Sequence, residues 1–346
     1  MTAADEPAGR GPGTEAGAGS RAGLNLVAAL AALAVTLAGL ALVVPGPWSG
    51  VTPVAQLVAL RGLLAAVGLL GAVVGAVVSL RLRRRSRAAA RAFAVLATGL
   101  TVFAATEATV LTARGTTGML GADPAPLDGD LVVLVLNTQG SLSPEQLAAF
   151  VAARGADVVS LPETDEQTAR GAAALLDADG REYQVLATTG TGSRNGTTSL
   201  LVAASLGAYQ VTEAGPASSF TATGSGPTIT AAHTLAPVNP ALTVWRASTS
   251  WVVDACSAAP GGIAAGDLNS TLDHPMLADL GGCVDVAAQA GVAGVGTWPA
   301  QLPRSLASPI DHILVDPDTW DVVRAAVLEP PPGTDHRALE AVLDRR

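Results

Sequence analysis

No lysine occurs anywhere in this chain of 346 residues. All 20 basic residues are arginine, and together with the abundant alanine and glycine this bias reflects coding preference, not function. Basic charge is scarce where the chain is most polar: residues 129–346 hold 23 Asp and Glu against 10 Arg, a net charge of −13. A segment that acidic has no electrostatic footprint for tight, sequence-indifferent nucleic-acid binding, which needs clustered cations against phosphate. Cysteine is nearly absent. Cys256 and Cys283 are the two present, and no thiol or imidazole stands at zinc-ligand spacing, which argues against a zinc site.

Charge of either sign is sparse between residues 24 and 112, where the chain is almost wholly Ala, Leu, Val and Gly. The mean hydropathy of +0.41 is too apolar for a soluble enzyme of this length. Residues 1–22 are polar, Gly- and Pro-containing and aperiodic, which predicts a disordered tail. Three apolar runs follow, at about 24–44, 54–80 and 92–111, none with interior proline. Each is long enough to cross a hydrocarbon core of about 30 Å, so three transmembrane helices are expected. Further long runs behind the first also distinguish it from a cleaved signal peptide.

Orientation follows from arginine. Arg81, Arg83, Arg84, Arg85, Arg87 and Arg91 crowd the second connection, which belongs in the cytoplasm by the positive-inside rule. The uncharged first connection, with Trp48, suits the outer face. The N-terminus is then cytoplasmic, the cell membrane is crossed three times, and the C-terminal domain lies outside. Arg61 and Glu107 fall within the apolar runs; they either snorkel separately or pair between helices.

Residues 113–129 are Gly/Pro-rich and read as a linker to a domain at 130–346. There, apolar runs at 131–136, 157–161, 197–203, 228–232, 262–265 and 310–315 read as strands. Residues 143–154 open on Ser-Pro-Glu and carry Leu147, Phe150 and Val151 on one face, as a helix does. Polar groups used in phosphate and metal chemistry follow strand after strand: Asn137, Glu163, His233, Asp267 with Asn269, and Asp311 with His312; Asp335 and His336 stand near the C-terminus.

The order Asn137, Glu163, His233, GDLN at 266–269, GTW at 296–298, PIDHILV at 309–315 and TDHR at 334–337 resembles the endonuclease/exonuclease/phosphatase superfamily. The resemblance covers nearly the whole of 130–346 and extends to a bacterial membrane-anchored subgroup. It implies a four-layer α/β/β/α sandwich with the site at one rim. It also implies metal-dependent phosphoesterase activity, with Mg²⁺ or Mn²⁺ near Asn137, Glu163 and Asp335. By the same resemblance Asp267 orients or deprotonates the attacking water, and Asn269, His233 and His336 contact the phosphate. Asp311 orients His336. A carboxylate two places after the first Asn, found in several members, is replaced by Gln139. That weakens the case for a second metal and leaves open an inactive binding or sensing module with the same fold.

The implied partners are membrane lipid and a phosphate-ester substrate: a lipid head group, a small organophosphate or extracellular nucleic acid. Arg194 reads as a solvated loop residue or a weak substrate contact, and His312 as a wall of the site or a catalyst. His274 reads as a packing or capping residue, and Trp245, Trp251, Trp298 and Trp320 as core. In an oxidising compartment Cys256 and Cys283 form a disulfide; otherwise they are two buried thiols.

Overall fold

The computed structural model describes residues 16–43, 46–188 and 196–346; Arg194 and residues 1–15 of the expected tail lie outside the described residues. The chain forms two compact units, Met1–Leu40 with Ala65–Thr106, and Ala41–Leu64 with Glu107–Arg346. Four helices lead: α1 (Ala16–Val43), α2 (Val54–Ala59), α3 (Arg61–Leu82) and α4 (Arg87–Arg114). Residues 16–22, expected in the tail, are helical, because adding residues to a formed helix costs far less than nucleating one.

The expectation of three spanning helices is met in part. Among the described residues two helices are long and apolar enough to cross a membrane, α3 and α4; the apolar part of α1, Leu26–Gly39, is shorter. In the first unit the helices approach through small residues, as packing in lipid favours. A Cβ on Gly39 would lie 2.5 Å from the Phe103 ring, and one on Gly75 would lie 3.3 Å from the Ala97 Cβ.

The apolar run at 54–80 is not one helix. It breaks at Leu60 (φ −107°, ψ 36°), whose N–H turns back to Leu57 O. The cause is tertiary. Gly62 sits so close to the Ser305 carbonyl that a Cβ would lie 1.8 Å from its oxygen. Beside it, Arg61 donates from Nη1 to Glu107 and from Nε to Asp273, both at 2.7 Å, and Arg114 reaches the other Asp273 oxygen at 2.8 Å. The Arg61–Glu107 pair therefore forms, and a carboxylate of the C-terminal domain shares it. Arg61, Glu107 and Asp273 are buried, which an ion group tolerates when its members are mutually bonded.

The 113–129 segment is bound to its domain. Thr117 donates to Gly291 O, and Arg304 holds Gly118 O and the Asp123 carboxylate. The domain itself has two six-stranded sheets packed face to face. One has the order β11-β12-β1-β2-β4-β3, built from β1 (Leu131–Val135), β2 (Val158–Pro162), β3 (Tyr183–Ala187), β4 (Thr198–Ala203), β11 (Trp320–Leu328) and β12 (Ala338–Arg345). The other has the order β5-β6-β7-β8-β10-β9. Its strands are β5 (Tyr209–Ala214), β6 (Phe220–Gly224), β7 (Ile229–His233), β8 (Ile263–Asp267), β9 (Val284–Asp285) and β10 (Asp311–Val315).

Helices α5 (Pro144–Arg154) and α6 (Glu166–Ala178) cover the outer face of the first sheet. Helices α7 (Leu242–Ser257) and α8 (Val286–Gln289) cover the second, giving a layered α/β sandwich. Val133, Val135, Leu200, Ala231, Ala265 and Ile313 meet between the sheets, while Leu134, Leu147, Val151, Val159 and Leu176 form the core under α5 and α6. Sequence chemistry sets α5 sharply. Ser143 and Gln146 cap each other's backbone N–H groups, Pro144 opens the first turn, and Gly155 closes the helix at φ 65°.

Cys256 of α7 is joined to Cys283, which precedes β9, with Cα atoms 6.4 Å apart. The bond closes a loop of sequence separation 27, worth about 3.5 kcal/mol in the chain-entropy view. Replacing both cysteines by serine is expected to lower the denaturation midpoint accordingly. Equal midpoints for the oxidised wild type and the double variant would show that the bond carries no stability.

Candidate active site

The sheet topology explains why distant residues converge. Strands β1 and β2 are parallel, as are β7 and β8, so the residues after them, Asn137, Glu163, His233 and Asp267, reach the same rim. Strands β10 and β12 run antiparallel to β8 and β1, so Asp311 at the start of β10 and His336 just before β12 arrive at that rim too. Asp267 is paired in register with both Asp311 and His233.

At the centre, Asn137 is fully buried. Its Nδ2 donates to Glu163 Oε1 at 3.1 Å and Asp267 Oδ2 at 3.0 Å, while its Oδ1 accepts from Gln139 N–H. The amide thus spaces two carboxylates that would otherwise repel. His336 donates from Nδ1 to Asp311 Oδ2 at 3.0 Å, leaving Nε2 3.8 Å from Asp267 Oδ2. His233 Nε2 lies 3.7 Å from Glu163 Oε1. Asn269 donates its backbone N–H to Asp267 Oδ1 and its side-chain amide to Thr234 O.

Electrostatics follow from that geometry. Burial alone would lower the His336 pKa, but the Asp311 carboxylate bonded to it, aided by Asp267 and Asp335, outweighs this and pushes it up to about 9. His336 is therefore an imidazolium at neutral pH. Asp267 is raised, first by burial and then by Asp311, with His336 and His233 opposing. A carboxylate held in that state is poised to take a proton from water.

Three non-glycine residues here have left-handed backbones: Gln139 (φ 52°), Glu163 (φ 54°) and Asn269 (φ 45°). Such conformations cost about 1–3 kcal/mol each and persist where the surroundings over-determine them. All three line one cavity of about 530 Å³, together with His233, Asp267, Asp335 and His336.

The donor set suits a hard divalent cation. Glu163, Asp267 and Asp311 crowd around Asn137 and His336, and the buried Asp311 Oδ1 has no hydrogen-bond partner among the described residues. Ligand atoms of Asp267, Asp311 and His336 lie within 4.8 Å of one another. His336, protonated and bonded to Asp311, is the poorest ligand of these, since a metal needs an imidazole lone pair.

Several residues have roles that the sequence reading misses or leaves open. Trp298, expected in the core, is 38% exposed at the cavity and donates from Nε1 to Asp335 Oδ2 at 3.0 Å. Its GTW element was the available signal. Thr334 ties the two halves of the rim, donating to Asn137 O at 2.7 Å and accepting from His336 N–H. His312 does not line the cavity; it donates to Asp285 Oδ2 at 2.7 Å and Ser270 O at 2.8 Å. His274 is neutral by geometry: its Nδ1 accepts from Thr271 N–H, its Nε2 faces Ala55 O, and burial lowers its pKa. Trp245 and Trp320 are core residues.

A two-sheet sandwich with acidic, amide and imidazole groups on one rim defines a class of phosphate-ester hydrolases. Residues 134–336 match the endonuclease/exonuclease/phosphatase family, and the chain belongs to it. Its members are metal-dependent phosphoesterases or nucleases, and this protein is an ester-bond hydrolase of that kind. Among solved structures, the chain is similar to an endonuclease/exonuclease/phosphatase from Beutenbergia cavernae (21% identity, 62% of this chain and 71% of that one, TM-score 0.47). It is also similar to a Bacteroides vulgatus protein of the same description (16%, 62% and 99%, 0.48). A third is an AP endonuclease from Archaeoglobus fulgidus (15%, 61% and 98%, 0.46). No curated protein matches the chain.

Proposed function

We propose that this protein is a membrane-anchored phosphoesterase that uses one divalent cation, Mg²⁺ or Mn²⁺, and acts outside the cytoplasm by in-line attack of water. The observation that carries the reading is the Asn137-centred set in which Glu163, Asp267 and the His336–Asp311 pair share one cavity. Glu163 is the principal carboxylate for the cation, with Asp335 as the second and Asn137 positioning Glu163 from behind. The cation, when bound, neutralises phosphoryl charge.

The chain's own groups do the rest. Asp267 orients the attacking water and accepts its proton at the carboxylate. His336 presents a charged Nε2–H to a phosphoryl oxygen, and Asp311 fixes the ring and sustains its charge. His233 and Asn269 complete the donors around the phosphate, an arrangement set before substrate arrives.

The direct test is turnover by the purified full chain on a panel of phosphodiesters and phosphomonoesters. Chelation is expected to abolish it, and Mg²⁺ or Mn²⁺ to restore it. Unchanged turnover after complete chelation would refute the metal-dependent reading.

Anchoring and orientation rest on α3, α4 and the arginines between them. A reporter fused after Arg346 is expected to be active only outside the cytoplasm, and one inserted in the 81–91 loop only inside. The reverse pattern would overturn the orientation.

A further inference from the structure

The catalytic cavity is not built by the sandwich alone. One wall is supplied by the N-terminal region, from α2 and the residue that ends it: Gln56, Ala59 and Leu60. This wall is fixed to the domain from several directions. Ser308 donates to Ala59 O at 2.7 Å, His274 Nε2 bonds Ala55 O at 2.9 Å, Arg246 donates to Gly50 O at 3.0 Å, and Gln56 bonds Pro237 O.

The segment after His233, bonded to α2 through Pro237, also lines the cavity and brings Leu235 and Val238, 40% and 51% exposed. The lining is thus of two kinds. Acidic, amide and imidazole groups share it with Ala59, Leu60, Leu235, Val238, Trp298 and Ile310, which provide apolar surface. No arginine lines it among the described residues, and the chain has no lysine. A polyanion would find no guanidinium or ammonium group there, and so no cationic track for the neighbouring phosphates. Exposed apolar side chains beside a phosphate-binding end favour a ligand with one phosphate and one hydrocarbon part. Leu60 also leads directly into α3, an apolar helix long enough to cross a membrane.

We propose that the substrate is an amphiphilic phosphoester. Its phosphate meets His336, with the attacking water held by Asp267, and its hydrocarbon chain lies against Ala59 and Leu60 of the anchor region and against Leu235 and Val238. The proposal rests on the phosphoesterase reading and names the substrate class for the same site.

The test uses the full chain with Mg²⁺ and a series of phosphodiesters sharing one p-nitrophenyl leaving group. The second ester is an alkyl chain of two to ten carbons, each kept below its critical micelle concentration. Each buried methylene adds up to about fourfold in kcat/KM, so a rise of about tenfold or more is expected between two and eight carbons. Leu60→Gln, and separately the exposed pair Leu235→Ser with Val238→Ser, are each expected to flatten that rise at least threefold.

A flat wild-type series overturns the proposal. So does a rise that both variants retain, because partition into detergent or lipid would then explain it. Faster turnover of a dinucleotide than of every alkyl ester also overturns it. If no ester is turned over, the catalytic reading fails on its own, and titration calorimetry with alkylphosphonates decides the substrate class. Affinity that grows with chain length in the wild type and not in the variants supports the proposal; chain-independent affinity overturns it.

Discussion

Asp267→Asn and His336→Ala are each expected to lower kcat by about 10²–10³-fold or more, and added metal is expected to restore neither. The loss follows from where the two groups stand. Asp267 is buried, shares Asn137 with Glu163, and is the one carboxylate bonded to Asn269 N–H and approached by His336 Nε2. Its asparagine variant keeps the shape and cannot accept a proton. His336→Ala removes the cationic donor and leaves the buried Asp311 without its partner.

Glu163→Gln should behave differently, because its main loss is affinity for the cation; raising Mg²⁺ or Mn²⁺ should recover part of the rate. Asp311→Asn should give a milder form of the His336 defect and a distinct pH profile. His336 is protonated below about 9, so wild-type activity should fall as pH rises through that value. Without the Asp311 charge the fall should begin at lower pH. Wild-type rates from all four variants on the best substrate would place the chemistry elsewhere.

His312→Leu is expected to reduce stability by about 3–5 kcal/mol, because it strands one member of a buried ion pair. For a domain of this size that corresponds to a melting temperature lower by about 6–20 °C. Both ring nitrogens of His312 face acceptors, Asp285 Oδ2 and Ser270 O, so both carry protons and the ring is an imidazolium. Burial works against that charge, yet the bond and charge of Asp285 raise its pKa above that of an ordinary histidine. The sign follows. A group raised in the folded state contributes fully below its unfolded value and loses the contribution as pH rises through the folded value. The gap between wild type and variant should accordingly narrow with rising pH, and a gap that stays constant from pH 6 to pH 10 would exclude the charged pair.

Much of the site was legible because Asn137, Glu163 and Asp267 each end or follow a largely apolar run. Leu131–Val135, Val158–Pro162 and Ile263–Asp267 are buried along their whole length, and such runs announce both the strand and the polar residue that ends it. Strands β5, β11 and β12 gave no such signal. Five of six residues of Tyr209–Ala214 are exposed, and Ala338–Arg345 buries Glu340, whose charge is met by Arg154 and Arg324 from elsewhere in the chain. The break at Leu60 was illegible for a related reason. Arg61 and Gly62 are the local sign there, yet neither alone ends a helix; the helix ends because Gly62 and Arg61 have partners at Ser305 and Asp273, more than two hundred positions away.

Gln139 carries a consequence of its own. Its left-handed backbone sets the course of a side chain at the cavity, whatever functional group that side chain ends in. Exchanging its amide for a carboxylate would therefore add a full negative charge at a set position and leave the architecture alone. With glutamine there, the carboxyl groups of Glu163, Asp267, Asp311 and Asp335 already gather at the rim beside His336. On the one-cation reading, a further carboxylate would repel the phosphate or call for a second ion to hold it, so Gln139→Glu is expected to change how many ions the site takes up.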